Sequence, residues 1–170
     1  MANFLTIDIT SGIAGDRFED DDDFASATDL GNLGDRVEAN LSIHETGNDD
    51  YFLFRAASAG TLDLSLKFAN LLGDLDVELY NAQFESIGVA ESTSDLEQLS
   101  LDLDSGSAYY LRVYGKNGAT NDDYTLTLDG PGGPAGDRFE DNNNSATATN
   151  FGQLGDRTDT DLSIHLPNDD

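Results

Sequence analysis

Thr61-Leu62-Asp63-Leu64-Ser65-Leu66-Lys67-Phe68 alternates polar and apolar residues without a break. An extended chain turns successive side chains to opposite faces, so Leu62, Leu64, Leu66 and Phe68 share one apolar face while the other stays wet. The same period of two returns in Leu75, Val77 and Leu79, in Leu99, Leu101 and Leu103, and in Tyr124, Leu126 and Leu128. Residues 51–56 and 109–114 are richer in aromatic side chains and read as central strands. Turn chemistry separates these runs: Gly47-Asn48-Asp49-Asp50, Gly73-Asp74, Asp104-Ser105-Gly106 and Asn117-Gly118. No helical period is sustained, and a single helical turn is expected over residues 24–29. Many short half-buried strands at this spacing predict an all-β, antiparallel, jelly-roll-like β-sandwich.

The chain also repeats itself. Ala14-Gly15-Asp16-Arg17-Phe18-Glu19-Asp20 returns as Ala135-Gly136-Asp137-Arg138-Phe139-Glu140-Asp141, an offset of 121 residues from Asp16 to Asp137. Leu33-Gly34-Asp35-Arg36 and Leu41-Ser42-Ile43-His44 recur at the same offset, and Leu5-Thr6-Ile7-Asp8 precedes Leu126-Thr127-Leu128-Asp129 by it. Such a fixed period marks a modular array. Residues 15–129 read as one complete sandwich and 1–10 as the terminal strand of a preceding repeat. Residues 130–135 form a Gly/Pro linker, and 136–170 are the leading segment and first strand of a following repeat. The partial repeats carry apolar strand positions (Phe4, Leu5 and Ile7 at one end, Leu162 and Ile164 at the other) with no further strands of their own to pair with. Unpaired strand edges seek partners. The expected partners are copies of the chain itself, joined head to tail by strand addition, or as neighbours in a tandem array.

Composition narrows the function. Of 170 residues, 34 are Asp or Glu against 8 Lys or Arg, a formal net charge of -26. Phosphate neutralisation needs clustered cations, so nucleic-acid binding is excluded, and no run is apolar enough for membrane insertion. There is no cysteine and hence no disulfide. The first residues, Met1-Ala2-Asn3-Phe4, lack the charged start and apolar run of a secretory signal. Aspartate gathers in turns beside Gly and Asn, the oxygen-donor chemistry that calcium prefers. A solvated acidic surface, or one suited to high salt, has the same composition.

Five elements in order give the chain a resemblance. They are Glu19-Asp20-Asp21-Asp22 followed by Ala25, Asn48-Asp49-Asp50-Tyr51-Phe52, and Gly73-Asp74-Leu75-Asp76-Val77-Glu78-Leu79-Tyr80; then Tyr109-Tyr110-Leu111-Arg112-Val113-Tyr114-Gly115 and Asp123-Tyr124-Thr125-Leu126. In these the chain resembles the bacterial pre-peptidase C-terminal domain family over nearly all of 15–129, and again at the start of 136–170. The resemblance implies a jelly-roll-like sandwich, an extracellular or cell-surface setting, and service as an accessory module of secreted proteases, collagenases and large surface proteins. It also implies Ca2+ bound where the leading segment meets the domain. Carried over by position, the ligands are Glu19, Asp21 and Asp22 with Asn48 and Asp50. The chain departs from the family pattern with Asp20 in place of Pro and Asp21 in place of Asn. The second copy offers Glu140, Asn142 and Asn143, with less charge. Crowded carboxylates repel one another, and a divalent ion relieves that repulsion.

Asp74 and Asp76, two apart on a strand, can reach one ion, although turn and solvent-face roles suit them better. Tyr110 and Tyr114 share the outward face of their strand, where collagen-binding relatives present tyrosines; they are candidate partner contacts, against the commoner role of filling a sandwich wall. No catalytic constellation appears. His44 and His165 occupy equivalent repeat positions at strand ends, and no nucleophile elbow or zinc-spaced histidine pair exists. The expected function is a non-catalytic, calcium-stabilised structural module joined head to tail. The alternative is a collagen- or carbohydrate-binding accessory domain of a secreted hydrolase.

Overall fold

The alternating runs pair into two sheets that face each other across one apolar layer. The computed structural model describes residues 15–131. The expectations for Phe4, Leu5, Ile7, Glu140, Asn142, Asn143, Leu162 and Ile164 lie outside the described residues. In chain order the strands are β1 (Thr28–Leu33), β2 (Arg36–Ile43), β3 (Asp50–Ala56), β4 (Gly60–Phe68), β5 (Leu75–Asn81), β6 (Ser86–Ala90), β7 (Leu96–Leu103), β8 (Ala108–Gly115) and β9 (Asn121–Asp129). One sheet runs β1-β3-β8-β5-β6 and the other β2-β9-β4-β7. The fold is an all-β sandwich, and the strands expected to be central are: β8 lies between β3 and β5.

Cross-strand registers show how the alternation builds the core. Phe52 faces Leu111 and Phe54 faces Tyr109 across β3–β8, while Leu64 faces Leu128 and Leu66 faces Leu126 across β4–β9. These side chains are buried and interdigitate between the sheets. Tyr109 keeps its hydroxyl satisfied by accepting the Asp104 amide at 2.9 Å.

Three features differ from the sequence reading. The β1–β3 pair is parallel: after β1 the chain crosses at Gly34-Asp35 to β2 in the other sheet and returns beside β1 in the same direction. Residues 24–29 do not form a helical turn that persists. The Asp23 carboxylate accepts the Ala25 and Ser26 amides at 2.7 and 3.0 Å, tying off a tight turn, and the chain enters β1 at Thr28. The one 3₁₀ turn among the described residues is Lys116–Gly118, between β8 and β9. Third, Asp76 is not on a wet face. It is 0 % exposed, because side chains from neighbouring loops close over that end of β5.

The loops at this end touch backbone to backbone. A Cβ on Gly115 would stand 1.8 Å from the Ala119 carbonyl oxygen, and one on Gly73 would stand 2.0 Å from that of Thr120. Neither neighbour is a flexible side-chain tip that can move aside. Gly115→Ala is expected to lower unfolding free energy by about 1–3 kcal/mol, the usual range for overpacking. Urea denaturation checks this; an unchanged midpoint would show that the turn opens without strain.

Strand order also fixes where the chain comes in and goes out. Asp16 is held to β2 near its Ile43 end, where Ile43 faces Asn121 at the start of β9. Gly130 packs on Leu33 and Gly34, and Pro131 packs on Gly60, at the other end of β9. At about 3.4 Å per residue, a strand the length of β9 separates the two points by roughly 25 Å.

Candidate functional site

The leading segment closes over the start of β3 through its own short side chains. The Asp16 carboxylate accepts the Phe18 amide at 2.8 Å and the Ser42 amide at 2.7 Å, while Glu19 accepts the Asp16 amide at 2.8 Å. Phe18 inserts edge-on against Phe52, with ring centroids 5.9 Å apart, and Arg17 lies over the Phe18 ring while bonding Glu38 and the Ala39 carbonyl. Asp20 takes a left-handed φ of 74°. The chain thereby turns, and the Asp21 carbonyl accepts the Tyr51 amide at 3.0 Å.

This path draws four carboxylates together electrostatically: Asp16, Glu19, Asp21 and Asp50. Asp21 and Asp50 are both buried. Burial pushes the Asp21 carboxyl up to about 7, against the Thr28 hydroxyl that donates to it, and the charges of Asp16 and Glu19 add to the rise. Burial likewise pushes Asp50 up to about 9, with Asp21, Asp16 and Glu19 contributing and the hydrogen bond donated by the Tyr124 hydroxyl opposing. Tyr124 is itself raised well above the usual phenol range, first by burial and then by the Asp50 charge. His44, just after β2, places Nδ1 2.9 Å from Glu19 Oε1.

Glu19, Asp21 and Asp50 are electrostatic neighbours, whereas Asp22 turns outward and accepts from the Asn48 side-chain amide. Among the described residues, no three acidic or histidine side chains converge as a ready-made ion cage. In kind, the donors fit a hard cation: they are oxygens, and Asn48 Oδ1, beside Asp22, is buried without a hydrogen-bond partner. Sequence reasoning misses Asp16 and Tyr124. Asp16 does carry a signal, since it belongs to the repeated Ala-Gly-Asp-Arg-Phe-Glu-Asp heptad. Tyr124 carries none, because its inward position marks only a core residue.

Asp74 and Asp76 lie at the start of β5, two strands over from Asp50 at the same end of the sheet. The Lys116 ammonium sits 3.1 Å from Asp76 Oδ2 and 3.0 Å from Glu91 Oε2, so Asp76 already has a cation beside it. Tyr110 and Tyr114 do project from the outer face of their sheet. Tyr110 packs with Phe24 and Phe84, and Phe24 also meets Tyr51 and Tyr80 at 4.9–5.0 Å. Tyr114 lies under the Arg112 guanidinium at 4.3 Å. Half-exposed Phe84, held at a positive φ of 60°, caps the aromatic cluster. No helix among the described residues is long and apolar enough to cross a membrane.

No family model matches the chain, and no curated protein does. Solved structures give three representative likenesses. The pre-peptidase C-terminal domain of a collagenase from Bacillus anthracis is 19% identical, over 61% of this chain and 92% of that one, with a TM-score of 0.44. PliG of Aeromonas hydrophila, a periplasmic lysozyme inhibitor of g-type lysozyme, is 14% identical over 61% and 96%, with a TM-score of 0.47. A family 35 carbohydrate binding module from an environmental isolate is 13% identical over 53% and 72%, with a TM-score of 0.38.

Proposed function

We propose that this chain is a non-catalytic, calcium-stabilised structural module of an extracellular or cell-surface assembly, joined head to tail with further copies of the same repeat. The observation that carries the calcium reading is that Asp16, Glu19 and Asp21, where the leading segment meets the sandwich, all act electrostatically on buried Asp50. Every strong electrostatic influence on Asp50 besides burial and the Tyr124 hydroxyl is another carboxylate. A divalent ion there replaces mutual repulsion with attraction, and by fixing the leading segment it stiffens the joint to the preceding repeat. The residues that would hold it are Asp16, Glu19, Asp21 and Asp50, with Asp22 and Asn48 at the margin.

The head-to-tail reading is supported by the separation of incoming and outgoing chain along the length of β9. Repeats linked through residues 130–135 then follow one another as a string rather than folding back side by side. Strand addition by residues 1–10 and 136–170 between copies is the noncovalent version of the same contact.

Isothermal titration of the metal-free chain with calcium tests the module, with magnesium and with sodium chloride at matched ionic strength as controls. Saturable calcium binding and a melting temperature that rises with calcium by mass action are expected. A chain that responds equally to sodium chloride, and shows no binding heat at millimolar calcium, has an acidic surface and no site. Electron microscopy with and without EDTA tests the joint: calcium-dependent linear assemblies are the expected result, and monodisperse particles in both conditions overturn it.

A second reading, an accessory domain that grips collagen or carbohydrate, is favoured by the outward aromatic cluster of Phe24, Tyr51, Tyr80, Phe84 and Tyr110. Co-sedimentation with insoluble collagen and polysaccharides, compared between the unaltered chain and Phe84→Ala, separates it from the first.

A further inference from the structure

The start of β5 holds chemistry that neither reading uses. Asp76 stands on a strand paired on both sides and is completely buried, and neither of its carboxyl oxygens makes a well-formed hydrogen bond. A buried carboxylate repays its desolvation only when hydrogen bonds satisfy its charge, and Asp76 lacks them. Lys116 Nζ lies 3.1 Å from its Oδ2, and the charges of Asp74 and Glu91 also act on it. The backbone that carries the lysine is fixed. Its amide donates to the Asp74 carbonyl at 2.9 Å, its carbonyl accepts from Ala119 at 3.1 Å, and left-handed Asn117 (φ 53°) sets the turn that follows. Glu91 Oε2 lies 3.0 Å from the same nitrogen, and the Tyr114 hydroxyl reaches Glu91 Oε1 at 3.4 Å.

We propose that Lys116 and Asp76 join as an intramolecular amide, a covalent staple between β5 and the β8–β9 turn, with Glu91 relaying the protons. Glu91 takes a proton from the Lys116 ammonium, and the freed lone pair attacks Asp76 Cγ. The C–N bond forms, one C–O bond breaks, and the departing oxygen leaves as water. That water carries both protons lost by nitrogen, so Glu91 ends as the carboxylate it began. Ammonium plus carboxylate gives amide plus water, with no oxidant, no activating group and no change in total charge. Two groups held in contact react at an effective concentration far above any solution value, on the order of 10⁵ M or more in well-oriented pairs. The product replaces an ion pair, whose carboxylate is buried and under-bonded and whose ammonium is partly exposed, with a neutral group. In a chain without cysteine, it supplies the cross-link that an extracellular array otherwise obtains from disulfides. This assignment removes Asp76 from the candidate metal ligands and does not depend on calcium at the leading segment.

Intact mass spectrometry of the purified full chain decides it. The expected mass is lower than that of the linear chain by one water, and proteolysis is expected to release a branched peptide joining Lys116 to Asp76. Glu91→Gln and Lys116→Arg should each restore the full mass; the second keeps the positive charge and cannot form the amide. A full mass in the unaltered chain after prolonged incubation at neutral pH overturns the proposal. So does a one-water deficit that hydroxylamine releases and that maps to Asp129-Gly130, the mark of a cyclic imide at that dipeptide.

Discussion

Between pH 5.5 and 8.5 in the presence of chelator, the protein is expected to lose stability, with a fall in melting temperature on the order of 10 °C. The sign follows from proton linkage. An ordinary aspartate loses its proton near 3.8; here Asp21 holds its proton up to about 7 and Asp50 up to about 9. In this window the folded chain therefore binds more protons than the unfolded chain, and stability drops as pH rises. The contribution is fully present below the unfolded value, and is lost as pH passes first about 7 and then about 9. Ordinary carboxylates are already ionised throughout the window and add no slope. Relaxation around two newly charged groups reduces the effect to about 2–4 kcal/mol, and 1 kcal/mol moves a domain of this size by roughly 4 °C.

Calcium is expected to cancel the loss, because an ion takes the place of the protons and binds better as they leave. Asp50→Asn should flatten the profile without calcium: the amide has the shape of the neutral acid and its oxygen still accepts from Tyr124. The same variant should blunt the calcium response. Differential scanning calorimetry across the window reads all three outcomes. A melting temperature that is flat or rises from pH 5.5 to 8.5 would show that the leading segment lifts away from Asp50 and lets water in.

Phe52→Ala is expected to have the largest effect of any single substitution, a loss of about 3–5 kcal/mol. Phe52 is fully buried on β3, faces Leu111 on β8, and takes the edge of Phe18 from the leading segment. Truncation removes apolar contact on three sides and leaves a void between paired sheets that cannot collapse, since both strands are held by ladder hydrogen bonds. It also unseats Phe18, which positions Asp16 and Glu19, so calcium affinity should fall with stability. Val37→Ala is the control, at 63 % exposure on the other sheet, and should change stability by no more than about 0.5 kcal/mol. Urea unfolding measures both. A loss below about 1.5 kcal/mol for Phe52→Ala would mean that the two sheets repack as a unit.

Much of the sandwich is legible in the order of residues, because period-two alternation is a local property and each run names its own inner face. Leu62 to Phe68, Leu75 to Leu79 and Tyr124 to Leu128 each declare a strand without reference to a partner. β1 and β2 are less legible: Asp29, Gly31, Asn32 and Asn40 interrupt them, and their registers shift at those places. The candidate site is half legible. Glu19, Asp21 and Asp50 stand out as carboxylates in turn-rich stretches, whereas the separate hydrogen bonds that pull Asp22 toward Asn48 leave no trace along the chain.

The sequence alone determined which segments become strands, which face of each is apolar, that the unit recurs every 121 residues, and that its surface repels nucleic acid. Those are consequences of neighbours along the chain and of summed charge. Only the tertiary structure decided that β1 lies parallel to β3, that Asp76 is sealed beside Lys116, and that Asp16 and Tyr124 stand with Asp50. Each depends on residues far apart in the chain meeting in space. A carboxylate's protonation and reactivity are set by how much water and which charges surround it, and that environment exists only once the two sheets have closed.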